Sequence, residues 1–227
     1  MTIDTKLTKL RSHFHSRAYK AYSAYPLSYH NWEHIRLMIN ELAIFGSSYL
    51  VDDDVELVLA ILYHDIVYVP GAGAIPGWNE TQSARLFLAD FDAYDGPDKD
   101  RVNPENVARL IMATEVSNQV NPDYQPKTVN EARLMDLDLL TLALPYQAFS
   151  CDQQNLAVET GGRNLSRLAR STETASFLTR FLPPYRKSVY HTAEAELAWG
   201  NKARANIQHY LHAHGLDADT HGGQDYL

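Results

Sequence analysis

The run Val58-Leu59-Ala60-Ile61-Leu62-Tyr63 constrains this chain more than any other stretch, because it is apolar on every face of a helix and ends in His64-Asp65. A helix apolar all round is buried. Asp53 is placed to cap such a helix and Glu56 to close a capping box, so the spacing predicts a buried helix over about 54–67, ended by Pro70. Its end then carries an imidazole and a carboxylate out of water, at several kcal/mol unless each is paired or bound to a metal. An internally satisfied His-Asp hydrogen bond is the plain alternative.

At 227 residues the chain suits one domain with a full core. A net charge of -8 argues against a nucleic-acid or anionic-membrane binder, since those rely on clustered Lys and Arg. The single cysteine, Cys151, excludes an intramolecular disulfide and a Cys-based zinc site. The opening Met1-Thr2-Ile3-Asp4-Thr5-Lys6 lacks a signal-peptide pattern, and no apolar stretch approaches membrane-spanning length, so a soluble cytoplasmic protein is expected.

Periodicity predicts an all-α domain of about eight helices over 1–214, followed by a polar tail over 215–227. Leu7, Leu10, Phe14, Tyr19 and Tyr22 mark a first helix over 6–23. Asn31 is the expected cap of a second helix to about Phe45, with His34 in its first turn and His30 just outside. Asn79 is the expected cap of a helix through Phe91, after a Gly- and Pro-rich loop over 70–77. Asn103-Pro104-Glu105 opens another, and Asn118–Lys127 reads as a loop. Thr128 and Glu131 form a capping box before Arg133-Leu134-Met135-Asp136-Leu137-Asp138, a second place where acids sit in an apolar helix. From Pro145 to Leu165 the pattern is weak; helices follow over 165–182 and 193–214.

Several chemistries compete. His212, His214 and His221 read as a solvated His-rich tail, and Cys151 as an idle thiol. His30-Asn31-Trp32-Glu33-His34 spells His-x-x-Glu-His, an inverted zinc-peptidase signature, but that needs both histidines on one helix, and Asn31 as cap leaves His30 outside. The remaining combination is His34, His64, Asp65 and an aspartate of the 131–142 helix, either Asp136 or Asp138. One divalent cation would answer all their burial costs. Two nitrogens and two oxygens suit Mn²⁺, Fe²⁺, Co²⁺, Ni²⁺ or Zn²⁺, with Mg²⁺ also open.

The order His, His-Asp, Asp on a helical chain resembles the HD superfamily of metal-dependent phosphohydrolases. Tyr29–Ile35, Tyr63–Tyr68, Asn79–Ala84, Asp136–Leu139 and Ala203–Asn206 are together similar to a subgroup of predicted metal-dependent HD phosphohydrolases, over about residues 19–211. The resemblance implies His34, His64, Asp65 and one of Asp136 and Asp138 as metal ligands. It favours Asp138, which precedes a leucine-bearing turn, and makes Asp136 either an acid that supports the ligands from behind or one that faces substrate. It further implies hydrolysis of a small phosphate ester, a nucleotide first of all. Position then suggests Asp65 to orient water and Glu80, one residue into a helix beside the 70–77 loop, as general acid or base, with a first-turn acid favoured by the helix dipole as the plain alternative. His30, Arg163 and Arg204 become phosphate contacts. The subgroup tends to carry an arginine shortly before Tyr-His and a histidine after an Ile-x-x-Thr stretch. This chain has Leu27-Ser28 and Thr114-Glu115-Val116-Ser117-Asn118 there, which weighs against a second metal. The other reading is an HD domain that binds metal and nucleotide as a sensor without turnover. A homodimer is left open.

Overall fold

The computed structural model describes residues 5–24, 27–47, 54–70, 75–160 and 166–216. Among the described residues all regular structure is helical, in one all-α bundle. The order is α1 (Thr5–Ala24), α2 (Trp32–Glu41), α3 (Val55–Tyr63), α4 (Trp78–Asp92), α5 (Pro104–Ala113), α6 (Val116–Val120), α7 (Val129–Asp138), α8 (Tyr146–Glu159) and α9 (Arg167–Thr179). A short α10 (Ala193–Ala195) then runs through a π-helical turn, Glu196–Gly200, into α11 (Asn201–Ala213).

α3 is the centre. Val55 and Leu57–Tyr63 are all buried, and the helix packs against α1, α2, α4, α5 and α7. Each apolar side chain so buried contributes about 1.5–3 kcal/mol, so its neighbours are arranged to cover it on all sides. Phe14 of α1 meets the rings of Tyr63, Phe87, Phe91 and Tyr94. The edge of that cluster is tied by Asp90, which accepts from the Tyr63 hydroxyl at 2.9 Å and from the Arg17 Nε at 2.7 Å.

Local signals explain most helix starts. Asn31 Oδ1 accepts from the N–H groups of Glu33 (2.8 Å) and His34 (3.4 Å). Asn103 does the same for Glu105 and Asn106 ahead of Pro104, and Thr128 for Glu131. Asp53, and with it the box expected between Asp53 and Glu56, lies outside the described residues; the Glu56 carboxylate accepts from Asn103 N and Asn106 Nδ2. The start of α4 differs from expectation. Gly77, at φ +67°, caps α4 in place of Asn79. Asn79 has another partner, the Val69 N–H at 3.0 Å. A side chain at Gly77 would be strained in that backbone, and its Cβ would also press on Glu115 Oε2 at 3.0 Å.

The most consequential change is at the end of α3. The helix stops at Tyr63 rather than running to 67. His64 still donates its N–H to Ala60 O, but Ile66 turns back onto Tyr63 O. Ser83 of α4 then straps the turn down through both the N–H and the carbonyl of Val67. Asp65 therefore leaves the helix on a held turn, not on a continuing helix face.

Candidate metal centre

Three elements bring four side chains to one point. The first turn of α2 supplies His34, the end of α3 supplies His64 and Asp65, and the last residue of α7 supplies Asp138. One atom from each, His34 Nε2, His64 Nε2, Asp65 Oδ2 and Asp138 Oδ1, forms the cluster. His64 lies 3.0 Å from Asp65 and 3.4 Å from Asp138; His34 lies 3.2 Å from Asp138 and 3.9 Å from Asp65. All four atoms fall within 4.8 Å of one another. Donors about 2.1 Å from one ion lie roughly 3.0–3.4 Å apart when adjacent and about 4.2 Å apart when opposite, so the four spacings of 3.0–3.9 Å fall within what one ion could gather.

The hydrogen bonding of His64 fits a cation as well, whereas the buried His34 Nδ1 has no hydrogen-bond partner and its Nε2 bonds Asp138 Oδ1. His64 is fully buried, and its Nδ1 lies 3.0 Å from the Ile61 carbonyl, which only an N–H can satisfy. That places the ring proton on Nδ1 and turns the Nε2 lone pair toward the carboxylates, the arrangement a ligating histidine needs. Nε2 itself is buried with no hydrogen-bond partner. Two neutral imidazoles and two carboxylates balance the charge of one divalent ion. Without an ion, burial pulls the His64 imidazole down, but Asp65 and Asp138 outweigh it and hold its pKa well above the ordinary value. Burial likewise pushes Asp65 and Asp138 up, and the adjacent histidines reverse both shifts. The group could hold a metal ion.

His30 stands beside the cluster, buried, with Nε2 3.9 Å from Asp65 Oδ2. Its ring stacks on Tyr68 at 3.6 Å and 18°, and its Nδ1 lies 2.7 Å from Glu159 Oε2. Glu159, buried at the end of α8, also accepts the backbone N–H groups of Tyr29 and His30. Burial raises the Glu159 carboxyl, but the bonds from His30 and Tyr29 prevail and lower it. Glu80 lies half-buried in the first turn of α4; burial, then the charges of Asp65, Glu115 and Asp138, raise its pKa. Asp138 Oδ2 accepts from Gln119 Nε2 at 3.1 Å.

Other expected residues are elsewhere. Asp136 does not face substrate: it is fully buried and accepts from His191 N (2.6 Å), Thr192 N (2.8 Å) and Thr192 Oγ1 (2.6 Å), bracing the start of α10. Two residues on a helix differ by about 200°, so Asp136 and Asp138 point to opposite sides of α7. Arg204 is paired with Glu196 and Asn201 on its own helical stretch. Arg163 and His221 lie outside the described residues. His214 packs on Tyr210 at the end of α11, and Cys151 is exposed.

Compared with known proteins, the chain matches no family model and no curated sequence. Glu159 and Gln119 are neighbours of the cluster that the sequence does not single out. On α8, Asp152, Asn155, Leu156 and Glu159 share one helical face with three polar residues of four, the pattern of a solvated face.

Proposed function

We propose that this chain is a metal-dependent phosphohydrolase of the HD type, acting on a small phosphate ester and first of all on a nucleotide. The observation that carries the reading is the convergence of His34, His64, Asp65 and Asp138 to spacings that one ion could gather, with His64 Nε2 turned inward and unpartnered. In a chain of net charge -8, a site this rich in carboxylates receives a phosphate only if a cation is present. When bound, that cation would supply Lewis-acid polarisation of a phosphoryl oxygen and water of lowered pKa. Asp65, beside both the cluster and His30, orients the attacking water. His30 is the proton carrier: Glu159 holds a proton on Nδ1, so Nε2 is free to deliver or accept one at the leaving oxygen. Glu80, a carboxyl whose pKa burial and the neighbouring carboxylates raise, is in reach of the site's charge and suited to relaying protons with solvent.

The test is free-phosphate release from nucleoside mono-, di- and triphosphates and guanosine tetraphosphate, with Mn²⁺, Co²⁺ or Mg²⁺ added. Turnover by the parent protein that disappears in His64→Ala and Asp65→Ala is the expected result. Binding of metal and nucleotide without turnover would make the domain a sensor. Failure to take up metal, or turnover unchanged in both variants, overturns the proposal.

A further inference from the structure

We infer that Gln119 is a positioning residue for Asp138, fixing which carboxylate oxygen faces the metal centre; the inference rests on the metal-binding reading above. Asp138 is the last residue of α7 and passes directly into a 3₁₀ turn, Leu139–Ala143, a place where helices fray. Its Oδ1 faces His34 and His64 while Oδ2 takes the Gln119 Nε2–H at 3.1 Å. The reverse amide orientation would set Oε1 against Oδ2, acceptor against acceptor, so the donor orientation is forced. A carboxylate held at Oδ2 cannot rotate Oδ1 away from the cluster.

Gln119 is itself clamped. It is 2 % exposed, and its backbone carbonyl accepts Arg186 Nη1 at 3.1 Å. The buried Arg186 reaches His191 Nε2 through Nη2 at 3.2 Å, and the His191 N–H donates to Asp136. Asp136 lies two residues before Asp138 on α7. The chain of contacts from Asp138 through Gln119, Arg186 and His191 thus returns to its own helix and grips the last turn of α7 from both sides. α6, whose last three residues, 118–120, open the stretch expected as a loop, carries Gln119 to that grip.

The test is a Co²⁺ titration of the full chain, followed by the visible absorption of the bound ion, for the parent and for Gln119→Met, which keeps length and removes the donor. Loss of a hydrogen bond to a metal ligand is expected to weaken affinity about 10- to 100-fold and to alter the absorption spectrum of the bound ion. If Gln119→Met does not fold, Gln119→Glu is read instead. It keeps the size and places a carboxylate against Asp138, with the same expected loss. Parental cobalt affinity and spectrum in whichever variant folds overturns the positioning role. A parent protein that takes up no cobalt overturns the metal reading itself, so the two failures are distinct.

Discussion

Side chains here divide by direction more than by type. Asp136 and Asp138 have equally apolar neighbours, which is why periodicity left both open; their 200° separation sends one to the cluster and the other to the cap of α10. His30 and His34 divide similarly. Asn31 caps α2, so His34 lies in the first turn of the helix and reaches the cluster, while His30 sits before the helix, where Glu159 can take its Nδ1–H. The four cluster residues were legible because burying those groups apart is costly. Glu159 was not, since an acid at the end of a polar stretch looks solvated until the fold buries it. Glu159→Gln tests its role. The amide can offer Nδ1 an N–H, which moves the imidazole proton to Nε2 and inverts the tautomer. Turnover should fall about 100-fold or more, the scale of general acid–base catalysis, with cobalt affinity retained. Full turnover in Glu159→Gln would remove His30 from proton transfer.

At the scale of elements, strong caps and apolar stripes were readable: α2, α5 and α7 begin at the residues expected to cap them. α8 was not, because two of its three buried residues, Gln153 and Glu159, are polar; its inward face carries a polar stripe and so shows no apolar period. The end of α3 differs from expectation for another reason, since Ser83, 16 residues beyond Val67, straps the turn that follows the helix. The 186–192 segment shows how such distant ties respond to pH. His191 Nε2 meets the Arg186 guanidinium, and burial with that charge lowers its pKa to about 4 from 6.5. Its contribution to stability is full above pH 6.5 and is lost as pH falls through 4. Asp136, raised to about 6 from 3.8 by burial, runs the other way: its contribution is full below 3.8 and lost as pH rises through 6. The two offset in the parent across their shared window. His191→Gln keeps an acceptor for Arg186 and removes only the first term. The variant should therefore gain about 1–2 kcal/mol on the parent between pH 6.5 and 4, a figure reduced for the partial exposure of His191. Parallel urea denaturation at the two pH values measures this. A difference between the proteins that does not vary with pH would show that His191 is not held neutral.

For the whole molecule, the centre joins parts of the chain that are otherwise linked only by packing. His34, His64 with Asp65, and Asp138 come from α2, the end of α3 and the end of α7, and no short segment holds more than two of them. The unfolded chain therefore has no preformed site, and a cation taken up by this cluster would bind the folded state almost alone. Saturation then adds stability by mass action, about 2.7 kcal/mol at a free ion concentration 100 times Kd. For a chain of this length that is a rise in Tm of about 5–10 °C. Protein stripped with a chelator should melt at the lower temperature and recover the difference when Mn²⁺, Co²⁺ or Zn²⁺ is restored in excess. Asp138→Asn, which keeps shape but removes a ligand charge, should melt at the same temperature with and without the ion. A stripped parent whose Tm ignores all these ions would leave the cluster as a charged hydrogen-bonded knot, and His64, protonated between Asp65 and Asp138, would then be what holds it together.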